Sequence, residues 1–265
     1  MSSTPDKSTS ATPSASVIVV RDGEDSIDVL MVRRHHGTAF ASADAFPGGC
    51  VSADDALGDA SYAGIDPADA NRRLVVRAGG LDFWSAAVRE LFEEVGILLA
   101  VPESRQDAVD TSALQSSRRE LAEGRLAWLD FLQAQRLRVD AEALHYVSHW
   151  ETPLEMKQRF STRFFVAAAP PGQTVRHDGR ELVDSRWLAP SAALEMGRRD
   201  ELRLVIPTMK TLQLLSGFRT LAELLPWARR RWQNGIEMMR GKVVETDGRR
   251  VIVLPGEPDY PAVGE

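Results

Sequence analysis

One cysteine, Cys50, is all that 265 residues contain. An intrachain disulfide is therefore excluded, as is any zinc site built from several cysteines. A reducing, cytoplasmic setting is the expectation. No apolar run approaches the roughly 20 residues of a membrane-spanning helix; the densest, VIVV at 17–20 and VGILLA at 95–100, are far too short. Nor is there an excess of basic charge: 32 Lys and Arg against 38 Asp and Glu leave a net charge of −6. A protein that coats nucleic acid shows the opposite balance, so neither nucleic acid nor membrane is an expected partner. One small nucleotide conjugate is not excluded, because metal ions can hold phosphate against acidic side chains. The first fifteen residues, MSSTPDKSTSATPSA, lack the apolar core of a secretory signal and read as a disordered leader.

What remains is ordinary globular material. Hydrophobic residues make up 43% and charged residues 26%, so a substantial core can form. The length suits one elaborated domain or two small ones. Ser16–Val20 and Ile27–Arg34 are β-branched-rich runs separated by a hairpin-type Asp22-Gly23. A loop closing on Phe46-Pro47-Gly48-Gly49 follows. Residues 52–80 hold few large apolar groups and read as a surface insertion with one or two short helices; if it caps the site, it bears on substrate choice. From Leu81 the period changes: Phe83/Trp84, Val88, Leu91, Phe92 and Val95 form the i, i+3, i+4, i+7 stripe of a half-buried helix, with Gly96 as its stop. Residues 102–140 read as a helical insert. Strands are expected at Ala143–Trp150, Arg159–Ala169 and Glu181–Leu188, and helices at Pro190–Met196, Pro207–Leu215 and Leu221–Trp232. Residues 241–265 form a tail with strand–turn–strand character around Asp247-Gly248. This order predicts an α/β (α+β) fold with extra C-terminal helices.

The chemistry is concentrated in AAVRELFEEVGIL, 86–98. On a helix, Glu90, Glu93 and Glu94 share the side opposite the apolar stripe. Three carboxylates within one turn repel each other, and only Arg89 stands beside them. An ordinary solvated face mixes its signs; an all-acidic patch suits a hard divalent cation such as Mg²⁺ or Mn²⁺. Glu90 and Glu94, one turn apart, are the primary candidate ligands, and Glu93 is the third. Arg89 is expected to orient a glutamate rather than touch substrate. Gly48 and Gly49 would let backbone approach metal or phosphate closely. Arg33 and Arg34, just ahead of that loop, either meet a substrate phosphate or form a basic strand end. His35 and His36 lack a partner at zinc spacing, and His145 and His149 read as structural. Phe164, Phe165 and Trp187 read as core. The segment LLPWARRRW at 224–232 reads as a packed amphipathic helix.

Arg89-Glu90-Leu91-Phe92-Glu93-Glu94-Val95-Gly96-Ile97 resembles the second half of the Nudix box, R-E-U-x-E-E-x-G-U with U apolar, and Phe46-Pro47-Gly48-Gly49 resembles the turn that opens it. The resemblance implies a Nudix-type α/β/α sandwich with a mixed sheet over residues 16–240, cleavage of a nucleoside-linked diphosphate, and substrate contacts at Phe46, Gly48 and Gly49. Counting from Gly49, the first acidic position of the box falls on Asp55, where the family has glutamate. From there 33 residues, 56–88, precede Arg89, about 26 more than in the uninterrupted motif. A Nudix branch typified by the peroxisomal coenzyme A diphosphatases of animals carries an insertion at this place. VLMVRRHHGTAF, HWETP, RFSTRFFVAAAPP and RELVDSRWLAPSAAL are also similar to that branch. The looser coenzyme A signature is partly present: Arg33 takes its first arginine, one residue too close to Phe46, and its Ser-Ala pair is missing.

That branch implies coenzyme A or acyl-CoA as substrate, split to 3′,5′-ADP and (acyl-)phosphopantetheine. ADP-ribose, NADH and dinucleoside polyphosphates are the alternatives with the same chemistry, and a non-catalytic nucleotide-binding module is the alternative without it. Family members often recruit a further acidic residue from a distant loop. Glu181 is the candidate here, with Asp178 and Asp184 as rivals. A homodimer is also compatible with the family.

Overall fold

The fold was examined in a computed structural model, which describes residues 10–34, 43–103, 111, 113–177, 182–246, 248–257 and 260, with only the backbone at Arg34. Its architecture follows from one strand. In β1 (Thr12–Asp22), Val17 and Val19 enter one buried cluster while Ile18 and Val20 enter another. A strand apolar on both faces must be covered on both. β1 is accordingly central.

Strands β2 (Ile27–Arg34), β3 (Asp44–Ala45), β4 (Gly48–Cys50) and β5 (Tyr62–Ala63) precede helices α1 (Pro67–Leu74) and α2 (Gly80–Val95). Then come β6 (Ala100–Pro102), α3 (Gln115–Ala122), α4 (Trp128–Ala134), β7 (Leu137–Asp140), β8 (His145–Glu151), β9 (Phe160–Ala168) and β10 (Leu182–Leu188). Helices α5 (Pro190–Arg198), α6 (Ile206–Leu215) and α7 (Leu221–Arg231) lead to β11 (Met238–Arg240) and the hairpin β12 (Lys242–Thr246) and β13 (Arg249–Val253). The main sheet runs β10-β2-β1-β9-β8-β11, with β3 on β2 and β4 on β1. It is mixed: β1 pairs with β9 in parallel from Thr12↔Phe160 to Val20↔Ala168, and β8 with β11 in parallel, while the other pairs are antiparallel.

Helices α1 to α4 bury Leu74, Trp84, Leu91, Phe92, Leu121 and Phe131 against one face. Helices α5 to α7 bury Ala193, Leu212, Leu224 and Ala228 against the other. Each fully buried large apolar side chain contributes about 1.5–3 kcal/mol. The result is the expected α/β/α sandwich with a mixed sheet. Among the described residues no helix is long and apolar enough to cross a membrane.

Four expectations need correction. β1 begins at Thr12, inside the stretch read as a leader, because pairing with β9 and β4 extends it beyond its own apolar run. The insertion is no surface cap: Asp55, Tyr62, Ala70 and Leu74 are buried. The 102–140 segment is only partly helical. β6 and β7 join β5 in a small second sheet, with Leu137 and Val139 buried in strand alternation. The helix of the box is also more than half-buried, since Arg89 and Glu94 are enclosed along with its apolar stripe.

Candidate active site

Helix α2 ends where the sequence says it should: Gly96 adopts φ 75° and its N–H bonds to the Phe92 carbonyl, closing the last turn as glycine at that position commonly does. Arg118 of α3 finishes the end. Its Nε and Nη2 both donate to the Glu93 carbonyl at 3.1 and 3.0 Å, placing a buried cation where the helix dipole favours one. Nothing in the local pattern of 115–122 signalled that role.

On the other side of the helix a hydrogen-bonded chain fixes the acidic residues. Trp128 Nε1 donates to Ser85 Oγ at 3.0 Å, and Ser85 Oγ donates to Asp55 Oδ1 at 3.2 Å. Asp55, 0% exposed, also accepts from the Ser52 N–H at 2.8 Å. Arg89 then clamps it with Nε on Oδ1 and Nη2 on Oδ2, both at 2.9 Å. The remaining arginine donors reach the Cys50 carbonyl at 3.1 Å, Glu90 Oε1 at 2.9 Å and Glu93 Oε1 at 3.5 Å. So Arg89 orients glutamates from within the protein, while Asp55, 34 residues away in sequence, orients Arg89. A planar guanidinium can do this because its donors form a rigid fork.

The glycine loop lies against the same carboxylates. Gly48 N–H donates to Glu94 Oε2 at 2.9 Å. A Cβ on Gly49 would stand 2.4 Å from the Glu90 carboxyl carbon. A Cβ on Gly48 would instead meet the Ala15 carbonyl oxygen at 2.3 Å, and its φ of +146° strains any other residue. The two glycines therefore predict different phenotypes. Gly48→Ala should destabilise the fold by about 1–3 kcal/mol, measured by denaturant unfolding. Gly49→Ala should keep its stability yet displace Glu90 and weaken divalent-ion binding about tenfold or more, within the 10–100-fold range for groups that position ligands. Equal stability losses in the two variants would refute this division.

Burial pushes the Glu93 carboxyl up to about 7; Arg89 opposes that, while Glu90 and Asp55 reinforce it. Burial works against the Arg89 charge, but Asp55, then Glu90, outweigh it and hold the arginine pKa above its ordinary value. Among the described residues no three His, Cys, Asp or Glu side chains stand in a ready-made metal cage. The donor chemistry nonetheless fits a hard divalent ion: two carboxylates press on one glycine loop, a third lies within the same helical turn, and the adjacent cation is already tied to Asp55.

Beside the glycine loop is a cavity of about 480 Å³, walled by Phe46, Trp150, Phe160, Phe164, Ile206 and other mainly apolar residues. Phe46 is both core and wall, edge-on to Phe164 at 6.5 Å. Arg33, expected at a substrate phosphate, is engaged elsewhere. Its Nε and Nη2 grip Asp44 at 2.9 and 3.2 Å, and Nη2 reaches the Glu201 carbonyl at 3.0 Å, so it joins β2 to β3 and to the start of the 201–205 loop. Asp184 bonds the Arg186 guanidinium. The Arg34 side chain, His35, His36, Asp178 and Glu181 lie outside the described residues. His145 and His149 sit on β8 with burial holding both rings well below the ordinary histidine range, to about 4 and about 3, consistent with structural roles.

Comparison with known proteins identifies the family and the fold. The NUDT19 Nudix domain family matches residues 69–215. The acyl-coenzyme A diphosphatase NUDT19 of Xenopus laevis is 27% identical over 271 residues, covering 88% of this chain and 71% of that protein. The human protein of the same name is 30% identical over 191 residues, 67% of this chain and 50% of its own length. A crystal structure of a NUDIX hydrolase from Alicyclobacillus acidocaldarius superposes with a TM-score of 0.69 at 26% identity, covering 82% of this chain and 96% of that one.

Proposed function

The chain belongs to the Nudix hydrolase family, and from that premise we propose that it splits the diphosphate of coenzyme A or an acyl-CoA into 3′,5′-ADP and (acyl-)phosphopantetheine. The observation that carries this reading is the interrupted box itself. Asp55, 34 residues before Arg89, still reaches it, and Arg89 in turn holds Glu90, which lies against the glycine loop, and Glu93. The named activity of the NUDT19 relatives supports the substrate.

In this reading Glu90 and Glu94, with Glu93, hold Mg²⁺ or Mn²⁺. When bound, such an ion neutralises diphosphate oxygens and makes water more acidic. The protein's part is placement. Arg89 keeps two carboxylates from turning away, and Gly48 and Gly49 leave no side chain between them and the substrate. Glu93, in the same turn, is the proposed acceptor of the attacking water's proton. Water adds to one phosphorus, the bridging oxygen leaves with the other, and two phosphate monoesters result. Glu181 remains the proposed further acid from the distant loop.

A panel of CoA, octanoyl-CoA, ADP-ribose, NADH and a dinucleoside polyphosphate, incubated with Mg²⁺ or Mn²⁺ and resolved by product, tests the substrate. Release of 3′,5′-ADP from the CoA substrates as the fastest reaction is expected. Faster cleavage of any other member overturns the CoA reading, and cleavage of none overturns the catalytic one.

A pH dependence follows from Glu93. Its folded pKa is raised from 4.5 to about 7, so the unfolded chain ionises first. The metal-free protein should therefore lose stability as pH rises from about 5 through 7. Mg²⁺ binds the ionised form, so its affinity should climb across the same interval. Titration calorimetry at pH 6 and pH 8 checks this; equal affinities would contradict it.

A further inference from the structure

The cavity and the carboxylates are separated only by the thickness of the glycine loop. Gly48 and Gly49 line the cavity, while Gly49 also abuts Glu90 and the Gly48 N–H bonds Glu94. The cavity is thus the described space adjoining the loop on which a substrate arm could rest while the diphosphate meets the carboxylates. At about 480 Å³ it falls within the roughly 300–1,000 Å³ of small-molecule sites.

The lining decides which arm. Among the described residues it contains no Lys, Arg or His, and their one charged side chain there, Glu151, is paired with Arg159 and Arg240. A nucleotide arm bearing a 3′-phosphate would bring negative charge against a described lining that is mainly apolar and whose neighbouring arginines, Arg159 and Arg240, are already engaged by Glu151, an unfavourable burial. An acyl-pantetheine arm is uncharged, carrying two amides, a hydroxyl, a thioester and hydrocarbon. Ser14, Ser16, Thr162 and Thr208 offer hydroxyls among the apolar walls. Two lining residues also remain open to solvent, Met156 at 41% and Ile252 at 36% exposure, as a chain running outward across the rim requires. Exposed apolar surface at the edge of a pocket commonly marks a binding site. Part of the wall, Gly241, Ile252 and Leu254, comes from the C-terminal segment, outside the 69–215 match.

We propose that this cavity receives the acyl-pantetheine arm of the substrate, and that β13 and the residue after it, with Met156 opposite, set the preference for acylated over free CoA. The assignment rests on the CoA reading above and deepens it. Cys50, exposed and lining the same cavity, supplies a reporter, being the only thiol in the chain.

The test uses the full-length protein and has two arms. S-octanoyl-pantetheine, which has neither nucleotide nor diphosphate, should protect Cys50 from iodoacetamide, and adenosine 3′,5′-bisphosphate should not. Ile252→Glu and Met156→Glu, both rim positions that a folded protein tolerates, should each lower the ratio of kcat/KM for octanoyl-CoA to that for CoA at least tenfold. Protection by the bisphosphate instead, protection by neither, or an unchanged ratio in folded variants overturns the assignment. If the wild-type protein cleaves no CoA substrate yet S-octanoyl-pantetheine still protects Cys50, the CoA reading falls and the identity of the cavity's ligand class stands.

Discussion

Glu94→Gln is expected to lower turnover by roughly 10²–10³-fold, the loss typical of removing one preorganised electrostatic group from an active site, while leaving the fold intact. The substitution is nearly isosteric, and its amide oxygen can still accept the Gly48 N–H, which now bonds Glu94 Oε2 at 2.9 Å. What changes is one unit of negative charge among three crowded carboxylates. That charge opposes folding of the metal-free helix and is needed only when a cation arrives. Glu90→Gln should behave likewise, with a smaller margin because Glu90 also takes a hydrogen bond from Arg89. Thermal unfolding with and without Mg²⁺, beside steady-state turnover, separates the two effects. Wild-type turnover in either variant would remove these residues from the site.

Asp55→Ala should fail in a different way. Removing a fully buried carboxylate leaves the Arg89 charge, itself 9% exposed, without its bidentate partner. Breaking such a pair from one side costs about 3–5 kcal/mol, far more than the ±0.5 kcal/mol or so of an ordinary surface substitution. Ser85 and the Ser52 N–H lose an acceptor in the same stroke. Activity should fall as well, because Arg89 can no longer hold Glu90 and Glu93. Asp55→Asn, which keeps an acceptor but not the charge, should fall between wild type and alanine in denaturant unfolding. A loss below about 0.5 kcal/mol in Asp55→Ala would show that the buried clamp is not what holds the site.

This clamp also revises what deleting the insertion would do. A surface cap could be removed with a change mainly in substrate choice. Residues 52–80 instead contain Asp55 and pack Ala70 and Leu74 into the core, so their loss should abolish stability and chemistry together.

How much was legible in the sequence depends on the range of the interaction. The helix of the box, its apolar stripe and its glycine stop are local, and 80–95 was readable to within a residue or so at its start. β3, just ahead of the glycine loop, and β4, which contains Gly48 and Gly49, are only two and three residues long and exist because β2 and β1 pair with them. No periodicity could reveal them. Asp55 could be placed by counting along the motif, but its burial required a contact across 34 residues. Arg33 misled for the converse reason. Its position ahead of the loop suggested a phosphate, whereas Asp44, eleven residues on, claims both of its forked donors. The cavity was invisible, since its walls come from β1, the glycine loop, β8, β9, the start of α6 and the C-terminal hairpin.

The parallel zipper between Thr12–Val20 and Phe160–Ala168 has a kinetic corollary. β2 and β4 can pair with the first strand soon after it is made, but its parallel partner begins only at Phe160. Non-local closure of this kind is slow, because chain entropy is surrendered before contacts compensate. Until then the edge of β1 that will meet β9 stays unpaired. Closure of the sheet is accordingly a late event, coming after Gly48, Asp55, Arg89 and Glu94 have all been made.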